Sequence, residues 1–508
     1  MSVIVLISLS CVSANENATD SIELSASEDD NLRDISTSLE EKIINAQNND
    51  KITIEPGRYT INNIYITKNI TLQGNGDPRE VIFDGQNKSS ILLIRSPDVY
   101  LTVKNITFIN GLTDNFGGAI SIETGHVTVD NCMFINNTAL EDTNAGGISN
   151  YGTKENRGYL LVNNSLFINN HADHDGGAIT TCYADSYIYN CVFINNSAHR
   201  DGGAIRVSVY GFGDVQDCIF MFNHADEWGG AYYSWSGESD IKRCIFMNNT
   251  ARTNGGAVMV SGNINLQDSI IMNNNGNETG GSFYIQQPMY DKKTVINIHN
   301  NLITNNTSPY GQEIFIKWWD AYNLYPQFDN NDWGDENPND SSVIDPNNVT
   351  SRSKVSSTIK SDLFGKLNVD LLDKYRDLLE DYFADDSLDN LKKRFDDAKP
   401  KQNNNQNSND NTQSDNENRQ NTIEQNNTND NLNINSQTES SQITNTNYDS
   451  QLVIGNSTTA GNEKNAYEIN KTHPAVKEIN MDLRYFAAAL IIVFILLAIG
   501  YKRHENEE

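Results

Sequence analysis

The segment Asn190-Cys191-Val192-Phe193-Ile194-Asn195-Asn196, followed after a short spacer by Gly202-Gly203-Ala204-Ile205, decides the fold of this chain. Related copies of the first block stand at 131–137, 164–170, 217–223, 243–249 and 268–274. Gly-Gly pairs begin at 117, 146, 176, 202, 229, 255 and 280, so the unit is 25 to 30 residues long. Each unit holds two short β-prone runs between Asn, Asp and Gly turns, which leaves no room for a helix.

A unit of this kind is typical of one coil of a β-solenoid, in which successive coils pair as parallel strands about 4.8 Å apart. Blades of a β-propeller need about 40–50 residues, and a leucine-rich repeat needs a Leu frame that this sequence lacks. We therefore predict an all-β, right-handed parallel β-helix of about ten coils over residues 31–345. Equivalent residues should form columns, and one inward column is Phe134, Phe167, Phe193, Phe220 and Phe246. Asn residues of the turns should bond to their own copies along the stack.

The repeats resemble those of the polymorphic-membrane-protein family, which combines GGAI and FxxN motifs. Gly176-Gly177-Ala178-Ile179 and Gly202-Gly203-Ala204-Ile205 match the first motif, and Phe167-Ile168-Asn169-Asn170 matches the second. The wider set is similar to adhesin-like β-helix proteins of methanogenic archaea, over about residues 30–345. The resemblance implies a pectin-lyase-like solenoid at the cell surface that works as an adhesin. The chain departs from bacterial members because a single apolar segment replaces their C-terminal outer-membrane barrel.

Both ends of the sequence predict an exported protein held in a membrane. Residues 1–14 resemble a signal peptide without its positive n-region, and the apolar run 485–501 is long enough for a transmembrane helix. Lys502 and Arg503 follow this run, which predicts a cytoplasmic tail and an extracellular N-terminal region. The full predicted order is signal peptide 1–14, spacer 15–30, β-helix 31–345 with a helical N-terminal cap, helical cap or stalk 346–400, disordered Asn/Gln-rich linker 401–480, membrane helix 485–501 and tail 502–508. Asn-Xaa-Ser/Thr sequons agree with a glycosylated, exported chain.

Composition excludes one class of partner. The chain has 37 Lys and Arg against 67 Asp and Glu, a formal net charge of −30, which argues against nucleic-acid binding. Cys132, Cys191, Cys218 and Cys244 share one slot with Ser165 and Ser269, so we expect small, buried free thiols there. No cofactor is predicted, and the oligomeric state is left open.

Two groups of residues are candidates for a binding site. The turns before three successive Gly-Gly pairs are rich in His and Asp, which favours either a metal or sugar site or ordinary charge pairing. These candidates are His171, Asp173, His174, Asp175, His199, Asp201, His224 and Asp226. Aromatic residues of neighbouring coils are candidates for a sugar-binding platform, although some should lie in the core: Tyr210, Phe212, Trp228, Tyr232, Tyr233 and Trp235.

Function is predicted from the architecture, because no catalytic constellation is recognisable inside the repeats. We expect a cell-surface adhesin-like protein whose rod binds glycans or proteins on other cells or in the envelope. A surface polysaccharide lyase or hydrolase is the alternative, and a structural envelope component is a second alternative. A carboxylate pair over a deep groove would favour the enzyme, whereas an aromatic or acidic face on a smooth rod would favour binding.

Overall fold

Short runs of β-branched and aromatic residues form the strands of this protein, and Asn- or Gly-containing turns separate them. The structure, a computed structural model, describes residues 32–286, 294–317, 324–328, 330–333, 343–344, 363–379, 388–389 and 392–393. All of these belong to the first of two compact units, Met1–Ser408. The predicted signal peptide, N-terminal spacer, Asn/Gln-rich linker, membrane helix and tail lie outside the described residues, as does part of 346–400. Among the described helices, none combines the length and the hydropathy that crossing a membrane requires.

Three parallel sheets run along the molecule. The 18-stranded sheet contains Asp50–Ile54, Ile64–Ile66, Ile70–Gly74, Leu92–Lys104, Ile120–Asp130, Ile148–Tyr151, Gly158–Asn163, Ile179–Cys182, Ala184–Tyr189, Ile205–Ser208, Phe212–Gln216, Tyr232–Lys242, Val258–Gln267, Phe283–Gln286, Thr294–His299, Ile314–Lys317, Leu324–Gln327 and Val343–Ile344. The ten-stranded sheet contains Gly57–Thr60, Val81–Asp84, Thr107–Ile109, Met133–Ile135, Leu166–Ile168, Val192–Ile194, Ile219–Met221, Ile245–Met247, Ile270–Met272 and Leu302–Thr304. The seven-stranded sheet contains Leu112–Thr113, Thr138–Ala139, His171–Ala172, Ser197–Ala198, His224–Ala225, Thr250–Ala251 and Asn275–Gly276.

Successive coils stack in register. Phe167 pairs with Phe193, and Phe193 pairs with Phe220, each at the same slot of its repeat. The strands of the ten-stranded sheet are linked by about nine turns of chain, so the described fold is an all-β parallel β-solenoid of about nine turns. The sequence-based estimate of about ten coils was close to this number.

The predicted phenylalanine column is confirmed. Its rings are fully buried and stack face to face, with centroids 4.7 Å apart between Phe134 and Phe167 and 4.6 Å apart between Phe220 and Phe246. Phe108 extends the column by one coil, at 5.0 Å from Phe134. The column runs through the interior of the solenoid because six successive coils contribute the same ring at the same slot, and Ile271 takes this slot in the next coil.

The two residues of each Asn-Asn turn have different roles. The first Asn, as in Asn195 with φ of 52°, adopts the left-handed backbone that turns the chain. The second Asn points inward and is fully buried, and Nδ2 of Asn196 donates to Oδ1 of Asn223 at 3.0 Å. The same side-chain hydrogen bond links Asn170 to Asn196 and Asn249 to Asn274, each at 2.9 Å, so the predicted Asn ladder runs through the stack.

The Gly-Gly pairs are required by backbone geometry. Gly202 has a φ of 68°, and a Cβ on Gly203 would stand 2.2 Å from the carbonyl oxygen of Gly230 in the next coil. In this pair the first glycine therefore allows the turn, and the second allows neighbouring coils to approach closely.

The N-terminal helix covers the first strands. It spans Leu32–Ile44, and its residues Leu39 and Ile43 are buried in the same cluster as the interior of the solenoid. A short 3-10 helix follows later at Pro78–Glu80.

The described part of the C-terminal block, which is predicted to be a helical cap or stalk, packs against the side of the solenoid. Residues 363–366 are helical, and short helices follow at Leu371–Lys374 and Arg376–Leu379. This segment lies along the outer side of the solenoid, because Lys366 bonds to Asp268 while Lys374 bonds to Asn131. We call residues 363–379 the lateral strap.

The reason for this placement is an apolar outer face that the repeat pattern did not reveal. Residues that alternate with the Phe column point outward from the ten-stranded sheet and form one cluster with Leu367, Leu372 and Leu379 of the lateral strap. These outward residues include Met133, Ile135, Leu166, Ile168, Val192, Ile194, Ile219, Met221, Ile245 and Met247. The strap therefore buries its apolar residues against several coils at once.

Candidate functional site

The His- and Asp-rich turns occupy the seven-stranded sheet and the residues that follow it. His171, Ser197 and His224 share one register position, and Ala172, Ala198 and Ala225 share the next. The position after that is held by Asp173, His199 and Asp226, as the sequence predicted. The eight candidates nevertheless separate into a surface group and a buried group.

Three of the surface candidates, His171, Asp173 and His199, converge on one oxygen atom, whereas His224 pairs with Asp226 further along the stack. Oδ1 of Asp173 lies 3.2 Å from Nε2 of His171 and 3.3 Å from Nδ1 of His199 in the next coil. Asp173 and His171 are about three-quarters buried, whereas the side chain of His199 is 57% exposed. Ligand atoms of these three residues all lie within 4.8 Å of one another, which makes them a possible metal-binding group.

Neighbouring groups hold this arrangement in place. The backbone N–H of Glu141 donates to Oδ2 of Asp173 at 3.0 Å, which leaves Oδ1 facing the two imidazoles. Nδ1 of His171 bonds to Oγ of Ser197 at 2.8 Å. Burial lowers the pKa of His171, partly offset by Asp173, so the neutral imidazole is favoured at neutral pH.

The buried group is a charge network beneath the surface. Asp175 is fully buried, and Asp201 in the next coil is 2% exposed. Nη1 of Arg206 lies 3.0 Å from Oδ2 of Asp175, and Nδ1 of His174 lies 2.7 Å from the same oxygen. Substrate cannot reach these carboxylates without displacement of the turns that cover them.

The two buried carboxyl groups have opposite pKa shifts. Burial raises the pKa of Asp175, but the charges of Arg206 and His174 outweigh this effect and hold it below the usual value. Burial, reinforced by the negative charge of Asp175, raises the pKa of Asp201 to about 8. Asp201 is therefore protonated at neutral pH while Asp175 is ionised.

The six predicted aromatic residues do not form one exposed platform. Tyr232 is fully buried in the core, where its hydroxyl donates to Ser239 at 2.9 Å. Tyr233 is 2% exposed and belongs to a separate cluster, against which Trp228 and Trp235 pack. Tyr210 is 57% exposed on another turn. The prediction of a single platform is therefore wrong. Successive residues of a strand point to opposite faces of the sheet, so Tyr232 and Tyr233 lie on different sides of it.

A different aromatic row lies on the outer surface of the 18-stranded sheet. Its rings contact one another in sequence from coil to coil, with centroid separations of 4.3, 5.6, 5.3 and 5.9 Å. The members are Tyr100, His126, Tyr159, Tyr187 and Phe212. Tyr100 is 55% exposed, and the others are half-buried. We call this row the aromatic ladder.

Only Phe212 of the aromatic ladder was predicted as a site residue. His126 is paired with both Tyr100 and Tyr159, but the row then leaves this column, since Tyr187 is opposite Leu161 in the strand pairing. The contacts of Tyr187 with Tyr159 and with Phe212 therefore run along diagonals, so a search for aligned residues misses the complete row.

The cysteine column agrees with the sequence analysis. Cys132, Cys191, Cys218 and Cys244 are buried free thiols, and the backbone N–H of Cys191 contacts Sγ of Cys218 at 3.4 Å. Burial raises the pKa of Cys132 to about 12 and that of Cys218 well above its usual value. Cys182 occupies a different position and is half-buried.

One family model matches two segments of the repeat region. The model of the Chlamydia polymorphic membrane protein (Chlamydia_PMP) repeat matches residues 164–181 and 190–208. This is a β-solenoid protein, and two of its segments are similar to that repeat. Each match contains one FxxN motif together with the Gly-Gly pair that follows it. The resemblance to proteins of methanogenic archaea stays a prediction.

Several solved structures are similar to this one. They include the alginate lyase AlyF-OU02 in complex with G6, at 14% identity over 58% of this chain, with a TM-score of 0.36. The chain spans 61% of the length of that lyase. A PL6 alginate lyase complex with trisaccharide is 13% identical over 61% of this chain and 79% of its own length, with a TM-score of 0.31. A mannuronic acid specific polysaccharide family 6 lyase from human gut microbiota is 11% identical over 59% and 78%, with a TM-score of 0.31.

These structural similarities are too distant to assign an activity. No curated protein matches the sequence.

Proposed function

We propose that this protein is an adhesin-like protein of the cell surface, which presents its solenoid for binding to glycans or proteins outside the cell. The match to the polymorphic-membrane-protein repeat carries the proposal. The apolar runs at 1–14 and 485–501, with Lys502 and Arg503 directly after the second, support an exported chain held by one C-terminal membrane helix.

The surface location has a direct test. An antibody against the solenoid should label intact cells that express the full chain, and deletion of residues 485–508 should release the protein into the medium. Labelling that requires permeabilised cells would contradict an extracellular solenoid, and retention of the deletion variant on the cell would contradict the membrane anchor.

The aromatic ladder is the binding surface that we propose for this function. Aromatic faces suit the apolar faces of sugar rings, and a row along five coils suits an extended glycan chain. Polar groups stand beside the row: Nε of Arg157 bonds to Asp185 at 3.2 Å, and the hydroxyl of Tyr189 donates to Asp214 at 2.7 Å. Such groups would bond to sugar hydroxyls and fix the direction of the chain.

Binding should depend on the row and not on exposed tyrosine in general. We expect Tyr187→Ala in the full chain to weaken binding to a glycan selected on an array by about tenfold or more, because stacking on the ring is lost. Tyr310→Ala is the matched control, since Tyr310 is 62% exposed and lies outside the row. Equal affinities of the two variants would exclude the aromatic ladder as the binding surface.

A polysaccharide lyase or hydrolase is the second candidate. The observation that favours it is the pair Asp175 and Asp201, because carboxyl groups with separated pKa values can divide the roles of acid and base. Their burial opposes this role. Release of reducing ends from a surface polysaccharide, abolished in Asp201→Asn, would support an enzyme.

A further inference from the structure

We propose that His171, Asp173 and His199 form a binding site for a transition-metal dication such as Zn²⁺, built between two adjacent coils. Two imidazoles and one carboxylate are a ligand set that zinc accepts, and three protein ligands leave a fourth position open to water or to a partner's side chain. This site is distinct from the aromatic ladder and does not depend on it.

The distances fit a metal that replaces the protons between these groups. Two ligands bound tetrahedrally at about 2.0–2.1 Å lie roughly 3.3 Å apart. Oδ1 of Asp173 is 3.2 Å from Nε2 of His171 and 3.3 Å from Nδ1 of His199. Because the side chain of His199 is 57% exposed, its ring can rotate to close the remaining edge of the tetrahedron.

The partners of the ligands favour binding. The backbone N–H of Glu141 holds the second oxygen of Asp173, and Ser197 holds the second nitrogen of His171. Such outer contacts fix the orientation of metal ligands and typically contribute ten- to a hundredfold to affinity. The two ligands on the first coil are therefore already oriented.

A second copy of the motif in the same solenoid isolates the role of His199. Two coils further on, Nδ1 of His224 bonds to Thr250 at 2.7 Å, and its Nε2 lies 3.3 Å from Oδ1 of Asp226. This reproduces the contacts of His171 with Ser197 and Asp173. The residue that corresponds to His199 in the following coil is Arg252, a permanent cation that cannot ligate a metal. The second copy should therefore not bind.

Isothermal titration of the full chain with Zn²⁺ in excess Mg²⁺ tests the proposal, since Mg²⁺ occupies the surface carboxylates. We expect one zinc ion per chain, at least tenfold weaker binding in His199→Ala, and unchanged binding in His224→Ala. Arg252→His should raise the stoichiometry to two, because it completes the second copy. A circular-dichroism melt without metal verifies that each variant is folded.

Three results would overturn the site. They are the absence of saturable heat with the wild-type chain, equal loss of affinity in His224→Ala and His199→Ala, and unaltered affinity in folded His199→Ala. Failure of glycan binding with intact zinc binding would leave this site standing, because the two surfaces use different residues.

Discussion

The backbone N–H of Asp201 donates to Oδ1 of Asp175 at 3.2 Å, so two buried carboxyl groups of adjacent coils lie one above the other. Arg206 lies beside Asp175, whereas Oδ1 of Asp201 has no hydrogen-bond partner among the described residues. The network thus contains one compensated carboxylate and one carboxyl group that keeps its proton.

The first prediction concerns pH. Burial raises the pKa of Asp201 to about 8, so the folded state holds a proton that the unfolded state loses near pH 4. The contribution of Asp201 to the free energy of unfolding should therefore be largest below about pH 4, decrease as the pH rises towards 8, and stay constant above about pH 8. We expect Asp201→Asn to flatten part of this decline and to raise the melting temperature at pH 8.

Glu313 should contribute in the same direction. Burial raises its pKa to about 8, although Nδ2 of Asn306 donates to Oε2 at 2.6 Å. Glu313→Gln should also raise the melting temperature at pH 8, and the exposed variant Asp98→Asn serves as the control. Thermal melts from pH 4 to pH 9 measure the effect, and parallel curves for all three variants and the wild type would contradict it.

The second prediction concerns the Asn ladder. Asn196→Ala removes an amide that donates to the carbonyl of Phe167 and to Asn223, and that accepts from Asn170. Each buried group left without a partner costs about 1–3 kcal/mol, so we expect the free energy of unfolding to fall by about 3 kcal/mol or more. Denaturant titration measures the change.

A surface asparagine provides the comparison. Asn277 is exposed, and Asn277→Ala should change stability by no more than about 0.5 kcal/mol. A similar decrease in the free energy of unfolding in the two variants would mean that the ladder does not stabilise the solenoid more than a surface asparagine does.

The third prediction concerns the lateral strap. Leu372 is 1% exposed and belongs to the cluster that covers the outer face of the ten-stranded sheet. Leu372→Asp places a charge in that cluster, so the strap should detach and expose a long apolar surface. We expect increased binding of a hydrophobic dye and concentration-dependent association in light scattering.

A substitution on the solvent-facing side of the strap serves as the matched control. Asp370 is exposed, and Asp370→Leu should leave both measurements close to those of the wild type. Dye binding at the wild-type level in Leu372→Asp would show that the strap does not protect the apolar face.

The fourth prediction concerns thiol reactivity. The thiolate is the reactive form, and burial raises the pKa of Cys132 to about 12. Among the five cysteines that the structure describes, Cys182 should react first with an alkylating reagent, followed by the buried column only on unfolding. Peptide mapping after brief alkylation measures this order, and early modification of Cys218 would disprove the buried column.

The repeat predicted what depends on coil-to-coil register. Phe193 over Phe220, Asn196 over Asn223 and the Cys column all follow from spacing, because a parallel stack brings equal positions together. The same logic placed Asp173 beside His199, although it did not separate the surface group from buried Asp175 and Asp201.

Sequence reasoning missed what depends on diagonals and on distant segments. The rings of Tyr159 and Tyr187 meet across unequal positions, and no column search finds such a pair. The outward side chains of Val192 and Ile194 looked like ordinary strand residues until Leu372 and Leu379 were seen to cover the same face. A pattern of repeats contains no information about a partner that lies about 180 residues away in the chain.

The Asn ladder also affects how the length of such a solenoid can change. Each amide of the ladder bonds to the matching amides of the coils above and below, so the removal or duplication of one whole unit would reconnect identical donors and acceptors at the junction. The number of repeat units can therefore change without disrupting the ladder. A recombination event between units would alter the length of the solenoid by whole coils.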